Sequence, residues 1–152
     1  MEVNRHAPLF SNKEVFIEAP PQTVWNLQTD VNNWSRWQPA ITASKLECPL
    51  AVGSVFRWRS GGLNVTSTIQ ALKQNELIGW TGRSLSAQAK HIWRFMPQGN
   101  GTLVTTEESL DGWSARLLKL LTPKFLDKSL EAWLRNLKTQ AESNYKPNQK
   151  AA

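Results

Sequence analysis

Sulfur and imidazole side chains are scarce in this chain of 152 residues. Cys48 is the single cysteine, which excludes an internal disulfide framework. The chain has only two histidines, His6 and His91, besides this cysteine, so the sequence predicts no structural zinc site. Glycine-rich phosphate loops and spaced clusters of metal ligands are also missing, which argues against nucleotide or metal chemistry. We therefore expect neither a metal nor a cofactor.

Long apolar runs are missing too. No segment approaches the roughly 20 apolar residues that a membrane-spanning helix needs. The first ten residues, MEVNRHAPLF, lack the basic start and apolar stretch of a secretory signal. With the lone cysteine, these features favour a cytoplasmic protein that is not an integral membrane protein. The length suggests one domain, and 40% hydrophobic with 20% charged residues excludes a disordered chain.

Tryptophan is abundant: the chain has eight tryptophans against one tyrosine and five phenylalanines. Each indole is large and carries one N–H that needs a partner when it is buried. So many indoles indicate broad apolar walls, belonging either to a bulky core or to a cavity.

The net charge of +6 is concentrated near the C-terminus. Residues 114–152 hold eight Lys or Arg and three Asp or Glu, whereas residues 1–113 hold ten and nine. This segment is able to touch an anionic membrane or a nucleic acid. A solvated face with a few ion pairs is the favoured interpretation, because charge runs usually solvate. Its basic residues are Arg116, Lys119, Lys124, Lys128, Arg135 and Lys138.

The pattern of elements predicts an α+β fold. A first strand at 11–18 is followed by a short helix near 21–30, because Pro21 suits a first helical turn. Further strands, bounded by turn residues, are predicted as an antiparallel meander at 41–47, 54–60, 63–72, 77–83, 88–96 and 102–110. Residues 114–144 have helical periodicity, with a break at Thr122-Pro123.

Side chains along a strand alternate between the two faces of the sheet, so charged residues identify the solvent-exposed face. Lys90 and Arg94 point outward in 88–96, so the residues between them point inward. Two-residue turns at 61–62, 74–75 and 85–86 then align Ile69, Trp80 and His91. A three-residue turn at 98–100 adds Glu107 to this row. A four-residue turn at 98–101 brings Glu108 inward instead, because a slip of one residue reverses every side chain.

The element order resembles the helix-grip fold of the START-like, or SRPBCC, superfamily, particularly its polyketide cyclase/dehydrase-type group. The similarity rests on VFIEAPPQTVWNLQTDVNNWSRWQP, VGSVFRWRSGG, LIGWTGR and HIWRFMPQGNGTLVTTEESLDGW. It implies a curved antiparallel sheet of about seven strands wrapped on a long C-terminal helix. The predicted domain covers residues 11–144, between a flexible N-terminus at 1–10 and a flexible tail at 145–152.

We expect a small hydrophobic or aromatic molecule to bind between the sheet and the C-terminal helix. The alternatives are a polyketide cyclase/dehydratase-like enzyme using His91 and Glu107, and an interaction module using the basic helix. We expect no nucleic acid partner, and we expect the protein to be a monomer or a homodimer. The predicted ligand-binding residues are Phe56, Trp58, Ile69, Trp80, His91, Trp93, Phe95, Thr105 and Glu107.

Overall fold

The computed structural model describes the backbone of residues 1–150 and side chains as far as Lys146. Seven antiparallel strands form one sheet in the order β1-β7-β6-β5-β4-β3-β2. The strands are β1 (Leu9–Ile17), β2 (Ile41–Leu46), β3 (Val55–Ser60), β4 (Leu63–Lys73), β5 (Leu77–Ser84), β6 (Ala87–Gln98) and β7 (Gly101–Asp111). The helices are α1 (Pro21–Thr29), a 3-10 helix (Val31–Arg36), α2 (Trp113–Leu121) and α3 (Phe125–Lys150).

This architecture confirms the predicted α+β helix-grip fold. The helical break falls where Thr122-Pro123 predicts it, between α2 and α3. Strand β1 begins at Leu9, two residues before the predicted strand, and Leu9 is buried. Helix α3 continues beyond residue 144. Of the predicted tail at 145–152, residues 151–152 lie outside the described residues. No helix in the part of the chain that is described is long and apolar enough to cross a bilayer.

The core lies between the concave face of the sheet and α3. Trp133, Leu134 and Leu137 of α3 join one buried cluster with residues from the sheet and α1. Helix α3 packs chiefly along β1 and α1. Lys13 of β1 strengthens this contact through ion pairs with Asp127 at 3.3 Å and Glu131 at 2.9 Å.

Two hairpins have the predicted register. Gly61 and Gly62 both have positive φ, as a two-residue turn of this hand requires, and Ser60 pairs with Leu63. Ser84 pairs with Ala87 across the turn at 85–86. The inward row from β3 to β6 therefore follows the predicted alternation.

The β4–β5 hairpin reaches the predicted pair Ile69–Trp80 by a different route. Its loop has three residues, 74–76, rather than two, so Lys73 pairs with Leu77. A bulge between Ile69 and Ala71 then shifts the register by one residue. The two departures from the predicted geometry cancel, and only the pairs next to the turn differ.

Candidate ligand-binding site

Aromatic rings fill the space between the sheet and α3. Trp34 of the 3-10 helix is at the centre, with its ring centroid 5.3–5.9 Å from four others. These four rings belong to Phe56, Trp58, Trp80 and Trp133. The contacts with Phe56, Trp58 and Trp133 are edge-to-face, which is a favourable packing of aromatic side chains, and the contact with Trp80 is tilted. A guest at this site therefore requires some of these rings to move.

Most of the predicted site residues face this interior. Phe56, Ile69, Trp80, Trp93 and Phe95 are all buried, and Trp58 on β3, next to the edge strand β2, is half-buried. Trp133 bridges from α3 to Trp58, with 5.8 Å between ring centroids. Trp58 and Trp133 keep more exposure than Trp34 or Trp80, so this side of the cluster is the more accessible one.

His91 is embedded in the aromatic cluster. Its ring lies 4.9 Å from that of Trp80, 5.1 Å from Trp93 and 5.9 Å from Trp133. The side chain is 1% exposed. Its Nε2 atom lies 2.8 Å from the hydroxyl of Thr106, which is also buried. Position 91 therefore presents an imidazole to the interior, as the strand parity predicts.

Glu108 is the carboxyl group that approaches His91. Its Oε2 atom lies 3.5 Å from Nδ1 of the imidazole. Burial lowers the pKa of His91 from 6.5 to about 3 and raises the pKa of Glu108 from 4.5 to about 8. Both groups are therefore neutral at pH 7, because burial disfavours each charged form. Nε2–H of the neutral imidazole is able to donate to Thr106, whereas the Glu108 carboxyl faces Nδ1 without forming a hydrogen bond.

The placement of Thr105 and Glu107 in the interior is wrong. Both lie on the opposite, convex face of β7, because Pro97 pairs with Thr102 and His91 pairs with Glu108. This is the register of the longer turn considered above. The pairing extends to Gln98 and Gly101, with Gly99 at positive φ in the turn.

Glu107 has a different role on the convex face. It contacts Arg5 at 2.9 Å and Arg94 at 3.7 Å. These charges border a surface depression of about 480 Å³ beneath the N-terminal residues. The predicted His91–Glu107 pair is therefore replaced by a His91–Glu108 pair.

Three buried polar atoms in the aromatic interior lack a hydrogen-bond partner among the described groups. They are Nδ1 of His91, Nε1 of Trp93 and Nε2 of Gln28. Trp133 lies against all three side chains: it is 5.5 Å from the Trp93 ring, and its own N–H donates to Oε1 of Gln28 at 3.1 Å. Buried polar groups are normally paired, so a cluster of unpaired ones marks a place where a ligand oxygen would be stabilised.

Comparison with known proteins agrees with this architecture. The family model described as polyketide cyclase / dehydrase and lipid transport matches residues 11–142. The chain belongs to this family. No curated protein matches the sequence significantly.

Solved structures share the fold of this family member at low sequence identity. A hypothetical protein from Helicobacter pylori is 17% identical, with a TM-score of 0.81 and 91% of each chain covered. The Zhui aromatase/cyclase from Streptomyces is 17% identical, with a TM-score of 0.71, 88% of this chain and 93% of that one covered. A START superfamily protein from Mycobacterium smegmatis is 18% identical, with a TM-score of 0.63, 84% of this chain and 98% of that one covered.

Several residues of the site were not predicted as site residues. Glu108 and Thr106 depend on the register of one hairpin, so the turn at Gly99 was the signal for them. Trp133 stands in the periodic apolar row of α3, where it looks like ordinary core. Gln28 and Trp34 precede the meander, and no local pattern shows that they reach its interior.

Proposed function

We propose that this family member binds a small hydrophobic or aromatic molecule between the sheet and α3 and holds one oxygen of that molecule. The observation that carries the proposal is the group of unpaired polar atoms on His91, Trp93 and Gln28 in an aromatic interior. A binding site with apolar walls and a few orienting polar groups is typical of small-molecule sites.

The donors define the chemistry of the guest. Nε1 of Trp93 and Nε2 of Gln28 both carry hydrogen and accept nothing. The group that they would hold is therefore an acceptor, such as a carbonyl or hydroxyl oxygen. The neutral state of Glu108 and His91 favours an uncharged molecule, since a buried anion or cation would have no countercharge beside these two groups.

Native mass spectrometry of the purified chain tests the proposal. We expect a retained small molecule that is released on denaturation and is apolar except for one or two oxygens. The variant Trp93→Phe should retain less of it, and Trp113→Phe, whose exposed ring is outside the site, should retain as much as the wild type. Equal retention by the two variants would contradict the proposed site.

Enzymatic dehydration is the second candidate function, and the neutral His91–Glu108 pair favours it. A carboxylic acid that stays protonated at pH 7 is able to protonate a departing hydroxyl. The carboxylate that Glu108 then becomes lies 3.5 Å from Nδ1 and favours the charged imidazole, so His91 is able to accept the carbon-bound proton in the same step. For a β-hydroxy ketone, the α C–H and β C–O bonds break, a C=C bond forms and water leaves. The proton that His91 has gained then returns to Glu108.

Enone absorbance, with an aryl-substituted β-hydroxy ketone as the probe, tests this second function. Glu108→Gln should reduce turnover by about 10²–10⁴-fold, the usual contribution of a positioned acid or base. Glu107→Gln is the matched control, since its carboxylate lies on the other face. The same turnover in both variants would reject a catalytic role for Glu108.

A further inference from the structure

One end of the molecule carries an exposed apolar patch that the site does not use. Helix α2 presents Trp113, Leu120 and Leu121 to solvent, with exposures of 69%, 80% and 69%. Leu117, also on α2, and Phe125, the first residue of α3, extend the same surface. We define the apolar patch as these five residues, Trp113, Leu117, Leu120, Leu121 and Phe125, together with Leu85.

The fold holds this patch in place. In α2 it is Ala115 that is buried against the body of the protein, so the helix is anchored by a small side chain and leaves its large ones outside. The backbone N–H of Ser114 donates to the Ser86 hydroxyl at 3.2 Å, and the two hydroxyls lie 2.9 Å apart. These contacts place Leu85, 83% exposed on its hairpin, beside the start of α2.

Spacing separates α2 into distinct faces. Residues 113, 117, 120 and 121 fall on one side of the helix, because positions three and four apart are neighbours on its surface. Arg116 lies directly beside that side and Lys119 one step further round the helix, and the exposed Lys124 and Lys128 continue the basic border into α3. An amphipathic helix with Trp and Leu on one face and Lys and Arg beside it is typical of helices that lie in a membrane interface.

The charge on this border is mainly positive, and the first acidic residue beside it is Asp127, whose charge interacts with that of Lys124. No acidic residue occurs from Gly112 to Leu126. Within the described residues, none of Arg116, Lys119, Lys124 and Lys128 makes an ion pair. Contiguous exposed apolar patches on soluble proteins often mark interaction sites.

Charge complementarity distinguishes between the possible partners of the apolar patch. Two copies of the chain meeting through this patch about a two-fold axis would bring the same basic border against itself. An anionic lipid surface instead attracts each cation while its headgroup region accommodates the apolar side chains. We propose that the apolar patch and its basic border dock the protein peripherally onto anionic bilayers.

Vesicle cosedimentation with the full chain tests this proposal. Vesicles of phosphatidylcholine with phosphatidylserine should bind the protein, and vesicles of phosphatidylcholine alone should bind it much less. Binding should weaken strongly at about 1 M salt, where the Debye length is about 3 Å. The double variant Leu120→Ser, Leu121→Ser should lose at least about tenfold in partitioning, because two leucines no longer leave water.

Matched variants separate the patch from general surface effects. Arg116→Glu with Lys119→Glu should lose roughly tenfold or more, whereas Arg57→Glu with Arg59→Glu, exposed on β3, should lose less. Val52→Ser with Met96→Ser, which removes exposed apolar groups elsewhere, should bind as the wild type does. Absence of binding to the anionic vesicles, or equal losses in test and control variants, would overturn the proposal. Self-association abolished by the leucine changes, without vesicle binding, would assign the patch to a second copy instead.

Discussion

Glu108 Oε2 lies 3.5 Å from His91 Nδ1, inside a wall of tryptophan rings. Burial disfavours the charged form of both side chains, and no neighbouring charge contributes to either pKa shift. The imidazole also meets the Thr106 hydroxyl through Nε2. The two side chains are therefore both neutral at pH 7, and their contact is neither a salt bridge nor a hydrogen bond.

This pair predicts a flat maximum in the free energy of unfolding between about pH 4.5 and 6.5. In that range His91 is protonated and Glu108 is ionised in the unfolded chain, whereas both are neutral in the folded chain. The unfolded chain therefore binds one more proton at His91 and one fewer at Glu108, so the total number of bound protons does not change on unfolding and stability does not depend on pH. Above pH 6.5 only Glu108 differs, and stability falls with rising pH up to about pH 8. Below pH 4.5 only His91 of this pair differs, and stability falls with falling pH. Each limb has a slope of up to about 1.4 kcal/mol per pH unit.

Urea unfolding across this range measures both limbs. Glu108→Gln should flatten the alkaline limb and leave the acid limb in place, and His91→Phe should do the reverse. Glu107→Gln is the control and should keep both limbs, because its partners Arg5 and Arg94 are largely exposed and such pairs contribute about 0–1 kcal/mol. Loss of the alkaline limb in Glu107→Gln would contradict the register described above.

The hydrogen bond from Trp133 to Gln28 should appear as a coupling in a double-mutant cycle. Trp133→Phe leaves Oε1 of Gln28 buried and unpaired, which costs about 1–3 kcal/mol beyond the lost ring volume. With Gln28→Met already present, the same change should cost less, because no acceptor is orphaned. Chemical denaturation of the four proteins measures the difference, and costs that add without coupling would show that this hydrogen bond contributes little.

Gly112 should tolerate substitution poorly. Its φ is +104°, and an added Cβ would come within 2.2 Å of the Ser86 carbonyl oxygen. We expect Gly112→Ala to lower the free energy of unfolding by roughly 3 kcal/mol or more. Gly53 is the matched control: its φ is +92°, but a Cβ there would meet nothing within 4 Å. Thermal denaturation measures both variants. Equal losses of stability in Gly112→Ala and Gly53→Ala would exclude a steric contribution from Ser86.

The sequence predicts the fold well because its signals are local and repeated. Alternating charges on β6 orient Trp93 and Phe95 correctly, and the glycine pair 61–62 sets its turn without help from distant residues. The break at Thr122-Pro123 is equally local. Each of these features depends on backbone preferences of a few neighbouring residues.

The site is harder to predict because it depends on register and on tertiary packing. One residue in the turn before β7 decides whether Glu107 or Glu108 meets His91. The bulge near Gln70 is invisible in the sequence, and the pair Ile69–Trp80 is recovered only because the longer loop compensates for it. The contact of Trp34 with Trp133 joins parts of the chain that no periodicity relates.

Equilibrium dialysis with two matched probes tests the central claim most directly. α-Tetralone and tetralin have nearly the same shape, and α-tetralone carries a carbonyl where tetralin has a methylene. We expect the wild type to prefer α-tetralone, and Trp93→Phe to reduce that preference by about fivefold, the effect of losing one neutral hydrogen bond. Trp113→Phe should leave the preference unchanged. Failure to bind either probe, or an unchanged preference in Trp93→Phe, would contradict an oxygen held inside the aromatic cluster.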